Sequence, residues 1–227
     1  MRLVTRRNLP VPTLWGWLLL GGMLLLGVIA LGRFGYPILA VEKPAAGAQV
    51  LVVEGWLGPR ELDQAAAVFR RGAYERLITS GGPITNWASS SGPSTYADRA
   101  ADYLTSRGID AGLILSVPSP ASAQDRSYLS AVMVREALSD APVKALDVFS
   151  AGTHARRTRM VYRLALGSET SIGILAAGPD EYDPEHWWRY SAGVNDIMKE
   201  TLSVLWTFCC FHPPPPGSDE EMWGRPR

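Results

Sequence analysis

The sequence is poor in the residues that build disulfides and metal sites. It contains 2 cysteines, the adjacent Cys209 and Cys210, and 3 scattered histidines. Neighbouring cysteines rarely bridge each other, and no short spacing of the kind that zinc ligands adopt occurs in the chain. The sequence therefore argues against a disulfide framework and against a zinc site, and it indicates no cofactor.

The chain also lacks an excess of charge of either sign, with 22 basic and 22 acidic residues. The distribution is uneven, because five basic residues and one acidic residue lie up to Lys43, which leaves 17 basic and 21 acidic residues beyond it. A mildly acidic domain is a poor ligand for nucleic acid. We predict no nucleic-acid partner.

One long stretch carries no charge at all, from Leu9 to Gly32. Its apolar residues are numerous enough to cross the hydrocarbon core of a bilayer as a helix. Trp15 and Trp17 near one end would serve as interfacial anchors. The sequence predicts a single transmembrane helix at residues 13–33, with the lipid bilayer as its partner.

The basic residues around this stretch predict its orientation. Arg2, Arg6 and Arg7 outweigh Arg33 and Lys43, so residues 1–12 should stay in the cytoplasm, with the rest of the chain extracytoplasmic (periplasmic) at the plasma (inner) membrane. A cleaved signal peptide is the alternative, with residues 38–40 as a mediocre cleavage site.

Five short apolar runs, separated by segments of helical spacing, follow a linker at residues 34–48. Their length and composition are typical of buried parallel strands. The runs cover residues 49–53, 74–79, 113–117, 145–149 and 170–175. This alternation predicts an α/β domain over residues 49–211, a Rossmann-like three-layer sandwich with a mostly parallel five-stranded sheet.

Two further features concern the C-terminal part of this domain and the segment beyond it. The apolar stretch at residues 202–211 is too short to span a membrane, and it lies either against the sheet or against lipid beside the anchor. Residues 212–227 are rich in proline and predict a disordered tail.

The stretch from Ala145 to Arg159 reads as strand, tight turn and helix, which is where an open α/β sheet places its ligand. The turn delivers Ser150, Thr153, His154 and Arg157 to one place. Cations at a helix N-terminus oppose the helix dipole, so folding alone gives little reason for them. We interpret these residues as a site for an anionic ligand; a solvated basic first turn is the alternative.

Polar residues also follow the first two predicted strands. Glu54 comes directly after the first, as a site carboxylate or a helix cap. Ser80, Gly81 and Gly82 end the second. Paired glycines let the backbone approach a ligand and present amide donors, although a tight turn uses them as well.

After the third strand, Asp125 and Arg126 open the next helix. Asp125 suits an N-cap. Arg126 is again a cation where the dipole favours an anion. We predict that Arg126 contacts the ligand, with a salt bridge to Asp125 or Glu54 as the alternative.

Four motifs therefore stand in a fixed order: Glu54-Gly55-Trp56, Ser80-Gly81-Gly82, Asp125-Arg126-Ser127-Tyr128 and His154-Ala155-Arg156-Arg157. This order resembles the bacterial YdcF/SanA/ElyC-like family, envelope-associated proteins that share a domain of uncharacterised function. The second and fourth motifs match the family pattern, whereas the first and third depart from it and are similar to a sub-group with Val-Glu-Gly-Trp, Asp-Arg-Thr-Tyr and His-Ala-Arg-Arg. The similarity covers roughly residues 49–206.

The resemblance implies a Rossmann-like sheet and a membrane-tethered role in cell-envelope biogenesis. Some relatives are linked to peptidoglycan precursors or lipid carriers, but the resemblance supplies no reaction. We therefore expect binding of, or action on, a phosphorylated or anionic envelope precursor.

In the enzymatic hypothesis, a hydrolase or transferase, the anion is held by Gly81, Gly82, Arg126 and Arg157. His154 acts as general acid/base or nucleophile, and Glu54 or Asp125 orients it or serves as the base. The hypothesis that Glu54 and Asp125 hold a divalent cation stays open. The alternative from another class is a non-catalytic module that senses a ligand or scaffolds partners in the envelope.

Overall fold

A computed structural model describes residues 12–84, 94–122 and 125–222. Its centre is a five-stranded sheet in the order β3-β2-β1-β4-β5, and every pair of neighbouring strands is parallel. The strands are β1 (Val50–Glu54), β2 (Arg76–Gly81), β3 (Ile114–Pro118), β4 (Ala145–Ala151) and β5 (Ser171–Ala177). The predicted α/β fold with a parallel five-stranded sheet is confirmed.

Each strand ends later than its apolar run. Pairing between β1 and β2 continues through Glu54 and Ser80, and pairing between β4 and β5 continues through Ser150. The apolar pattern stops where side chains turn polar, but backbone hydrogen bonds do not depend on side-chain polarity. Several candidate site residues therefore lie on the strands themselves.

Helices cover both faces of the sheet. They are α2 (Pro59–Arg71), α3 (Tyr96–Ser106), α4 (Arg126–Ala137) and α5 (Ala155–Leu166). Because side chains alternate along a strand, Val50 and Val52 join the core under α4 and α5, whereas Leu51 and Val53 join the core under α2 and α3. These three layers leave the carboxyl ends of the strands accessible.

The N-terminal helix α1 (Leu14–Leu39) is long and apolar enough to cross a membrane, and it is the one such helix in the described ranges. It continues to Leu39 rather than ending at residue 33, so the first part of the predicted linker is helical. Leu39 is buried with Tyr182, Trp187 and Ile197. This packing against the domain stabilises the last turns of α1, including Pro37.

The predicted tail is partly ordered. A short 3-10 helix (Asp219–Met222) places Glu221 against α4, where its carboxylate lies 2.5 Å from the Arg135 guanidinium and accepts from the Tyr128 hydroxyl at 3.1 Å. Burial alone would raise the pKa of Glu221, but these donors and the Arg135 charge hold it below its usual value. The described part of residues 212–227 is thus docked rather than loose.

Candidate functional site

A cavity of about 990 Å³ lies at the carboxyl edge of the sheet. The chain leaves β1 toward β2 on one side, and β4 lies on the other, so the ends of β1 and β4 flank the crevice where open α/β sheets bind ligands. The predicted site residues that line it are Glu54, Ser80, Gly81, Gly82, Arg126, Thr153, His154 and Arg157. Two predicted residues, Ser150 and Asp125, do not line it.

One carboxylate on the cavity wall is that of Glu54, which is buried at the end of β1. Thr158 on α5 donates to its Oε1 at 3.3 Å, and the Ser150 hydroxyl donates to its Oε2 in a short hydrogen bond. The hydroxyl oxygens of Ser150 and Thr158 lie 3.1 Å apart. The hydroxyl of Ser150 therefore holds Glu54 in place, and its contact with a ligand stays a prediction.

Ser80 pairs with a residue that the sequence reasoning missed. Its hydroxyl lies 3.3 Å from the hydroxyl of Tyr162, and both side chains are buried. Burial and the nearby charge of Glu54 raise the pKa of Tyr162, so this phenol stays protonated and can donate. Tyr162 follows Thr158 by one helical turn, and this spacing along α5 is the signal that could have revealed both.

The glycines in the first two motifs make room for the start of α3. A Cβ on Gly55 would lie 2.3 Å from the carbonyl oxygen of Tyr96. Gly81 has φ 153°, and a Cβ there would lie 2.8 Å from the Cβ of Tyr96. Both positions exclude larger side chains. The glycines thus let β1, β2 and α3 converge at the cavity.

His154 is held by a carboxylate from α6 (Ser191–Cys209). Its Nδ1 lies 3.0 Å from Oε1 of Glu200, while Arg157 donates to Oε2 of the same carboxylate at 3.2 Å and places Nη2 3.2 Å from the histidine ring. Trp56 packs edge-on against the imidazole, with ring centroids 5.2 Å apart. The result is a nearly buried His–Glu–Arg cluster with one aromatic wall.

Glu200 is the most important residue that the sequence reasoning missed. Burial alone would raise its pKa, but the hydrogen bond and charge of His154, followed by Arg157, outweigh burial and lower it. The signal was one carboxylate at helical spacing among the inward-facing Ile197, Val204 and Thr207 of α6. A lone acid on the buried face of a helix requires a partner.

Asp125 lies outside the cavity of His154 but close to Arg157: burial raises the pKa of Asp125, and the Arg157 charge opposes that rise. It precedes α4, its side chain makes no capping hydrogen bond, and it lines a separate open groove with Arg157, Leu202 and Trp206. Glu200 holds His154 instead of Asp125, so the predicted catalytic role of Asp125 is not supported. Because Glu54 and Asp125 line different cavities, a cation shared by them is not supported either.

The charged side chains around the cavity differ in whether they already have a hydrogen-bond or ion-pair partner. Most carboxylates on its wall already accept a hydrogen bond or ion pair: Glu54, Glu61, Asp180, Asp196 and Glu200. Arg126 is exposed, lines the cavity, and makes no ion pair with any residue in the described ranges. The salt bridge to Asp125 or Glu54 is absent within those ranges, which leaves Arg126 available for a ligand.

The chain matches no protein-family model, no curated protein and no solved structure. The assignment of a function therefore depends on the residues of this site. Within the described part of the chain, no three histidine, cysteine or acidic side chains converge as metal ligands. The site offers an imidazole–carboxylate pair, two arginines and the buried carboxylate of Glu54.

Proposed function

We propose that this chain is a membrane-anchored, YdcF-like protein of the cell envelope whose cavity binds a phosphorylated or otherwise anionic, lipid-linked precursor. The observation that carries the proposal is Arg126, a cation on the cavity wall with no carboxylate partner in the described ranges. Arg157 lies on the same wall. Two guanidinium groups suit the oxygens of a phosphate because each presents several N–H donors in a planar fork.

The surroundings of Arg157 favour a precursor that carries a lipid. Arg157 lines the main cavity and also the open groove that contains Leu202 and Trp206, both exposed. A ligand that spans this junction has its charge at Arg157 and its apolar part along the groove. Leu202 and Trp206 offer an apolar contact to a hydrocarbon chain in a groove that Asp125, Ser203 and Thr207 also line, and a free nucleotide has no such chain.

The His–Glu pair supplies the chemistry for a hydrolase or transferase. In this form of the proposal His154 gives a proton to the leaving oxygen, and Glu200 stabilises the imidazolium before the proton is given up. Arg157 and Arg126 neutralise the charge that gathers on the phosphoryl oxygens. Glu54, held by Ser150 and Thr158, accepts the proton of the attacking water in a hydrolase, or of the acceptor hydroxyl in a transferase, as its oxygen bonds to phosphorus and the bond to the leaving oxygen breaks.

We expect the full chain in phosphatidylcholine nanodiscs to bind farnesyl diphosphate more tightly than inorganic pyrophosphate. Arg126→Ala should weaken binding about tenfold or more, because a hydrogen bond to a charged group contributes about 1.5–3 kcal/mol. Isothermal titration calorimetry measures the dissociation constants of both ligands. Arg163→Ala, an exposed arginine of α5 outside the cavity, is the matched control and should bind like the unsubstituted chain.

The same ligand separates the enzyme from the binding module. Loss of turnover by about 10²–10⁴-fold in His154→Gln, with calorimetric binding retained, would identify an acid–base catalyst. Binding without turnover in the unsubstituted chain would instead favour the ligand-sensing or scaffolding alternative. Absence of binding by either diphosphate to a folded chain would contradict the anion site altogether.

The proposal also includes the orientation of the anchor, with the N-terminus cytoplasmic and the domain periplasmic at the inner membrane. In cells carrying Cys209→Ser and Cys210→Ser, a cysteine at the exposed Ser139 should react with a membrane-impermeant maleimide once the outer membrane is permeabilised. A cysteine at Thr5 should react only after lysis. The reverse pattern would contradict the positive-inside assignment.

A further inference from the structure

Helix α6 carries an apolar face that the domain does not cover. Met198, Leu202, Leu205, Trp206 and Phe208 each keep more than half of their surface exposed. Their spacing places them on one side of the helix. The opposite side of α6 packs into the domain. The exposed apolar side chains are therefore a second face of the helix, separate from the one that joins the core.

An exposed face of this size marks an interaction surface. Fully burying a large aliphatic or aromatic side chain contributes about 1.5–3 kcal/mol, and soluble proteins rarely leave several such side chains contiguous and exposed without a function. None of the five is charged or polar. The partner of this face is therefore apolar itself.

The neighbouring anchor indicates which apolar partner this is. Trp187 donates from Nε1 to the carbonyl of Gly32 in α1 at 3.2 Å, and the Trp188 ring packs over the same glycine. With a rise of about 1.5 Å per residue, Leu14 and Gly32 lie about 27 Å apart along the helix. The hydrocarbon core of a bilayer is about 30 Å thick, so the domain contacts α1 where the helix leaves that core.

Helix α6 begins at this boundary. Val204 of α6 packs in the same cluster as Tyr36 and Leu39 of α1. Trp188 and Tyr190, just before α6, are both exposed, and these are the residue types that gather at the interface between lipid and water. The exposed aromatic residues Trp188 and Tyr190 thus lie between the contact with Gly32 of α1 and the start of α6, whose later turns carry the apolar face.

We propose that the face formed by Met198, Leu202, Leu205, Trp206 and Phe208 lies in the membrane interface beside α1. It is a second contact with the bilayer, and it fixes how the domain sits on the lipid surface. One consequence rests on the proposed function: the groove between Leu202, Trp206 and Arg157 then opens at headgroup level, where a lipid-linked anion would reach it.

The test uses the full chain with Cys209→Ser and Cys210→Ser, reconstituted in phosphatidylcholine vesicles. Single cysteines introduced at Leu202, Leu205 and, as an aqueous control, Ser139 carry a nitroxide label. Electron paramagnetic resonance then compares the access of oxygen, which partitions into lipid, with that of a water-soluble nickel complex. We expect oxygen to dominate at positions 202 and 205 and the nickel complex to dominate at 139.

A label at Ile29 on α1 gives the reference for lipid immersion, so that failure of the anchor is distinguished from failure of the α6 face. Oxygen access at 29 combined with nickel access at 202 and 205 would overturn the proposal. Dipolar broadening with little access for either reagent would also overturn it, because a second copy of the chain would then cover the face. Neither result depends on binding of an anion at Arg126.

An independent measurement avoids cysteine altogether. Brominated lipids quench tryptophan fluorescence only at short range, and Trp206 is exposed on the proposed face. At equal protein concentration, the fluorescence intensity lost to quenching should fall in Trp206→Phe and should stay the same in Trp56→Phe, a tryptophan at the cavity. An unchanged loss of intensity in Trp206→Phe would contradict the proposed contact.

Discussion

Trp187→Ala is expected to lower the free energy of unfolding by about 3–5 kcal/mol, the usual cost of removing a buried tryptophan. Trp187 is 5% exposed and packs with Leu39, Tyr182 and Ile197. The substitution leaves a void where α1 meets the domain, and it also removes the hydrogen bond to Gly32. Guanidinium unfolding of the full chain in a mild detergent measures the change.

The neighbouring Trp188→Ala is the matched control. Trp188 is the same residue type in the same short 3-10 helix (Pro184–Arg189), but it is 45% exposed. Its removal should cost less than about half as much, since the surrounding solvent or lipid fills the space that it leaves. Equal losses for the two variants would contradict the conclusion that Trp187 is the core residue of this junction.

Glu200→Ala is expected to lower the free energy of unfolding by about 3 kcal/mol. Removing one partner of a buried ion pair leaves the others without compensation, at a cost of about 3–5 kcal/mol. The lower end applies because Arg157 keeps 19% of its side chain exposed and reaches water more easily than His154. Glu200→Gln retains an acceptor oxygen and should lose less than Glu200→Ala.

The contribution of Glu200 to the free energy of unfolding should also depend on pH. Its pKa is lowered in the folded protein, so the folded state binds the proton more weakly than the unfolded chain. The resulting stability is complete above the unfolded value of about 4.3 and is lost as pH falls through the lower folded value. Below about pH 4, the stability gap between the unsubstituted chain and Glu200→Gln should therefore narrow.

Exposed Glu169→Gln is the control for nonspecific effects of charge. Its stability relative to the unsubstituted chain should change little over the same range, because an exposed carboxylate has no buried partner. Thermal unfolding between about pH 2 and pH 6 measures how far the stability of each variant, Glu200→Gln and Glu169→Gln, differs from that of the unsubstituted chain. A Glu200→Gln gap that stays constant or widens as the pH falls would contradict a stabilising carboxylate at this position.

The candidate site was predictable to the extent that it is built from strand ends. Glu54, Ser80 and His154 each stand directly after or close to an apolar run, and parallel strands bring their carboxyl ends to one edge of the sheet. The cavity at that edge contains all three. The position of a residue along the chain is sufficient in such cases, since the topology converts it into a position in space.

Asp125 illustrates where this reasoning fails. It also follows a strand and precedes a helix, but it lies in the outer groove rather than in the cavity of His154. The orientation of a side chain in the loop between strand and helix depends on the path of that loop. Local residue patterns do not determine that path, so a residue at the correct edge lines the neighbouring groove instead of the cavity.

The sequence by itself determined the apolar N-terminal helix that is long enough to cross a membrane, the five strands and the residues at their carboxyl ends, because each of these is a periodic or contiguous pattern of neighbouring residues. Only the tertiary structure decided that Glu200, rather than Asp125, holds His154, that Glu221 docks on Arg135, and that the apolar face of α6 stays uncovered beside α1. Such pairings join residues far apart in the chain. They depend on how whole elements pack, and the periodicity of a single element carries no information about its partner.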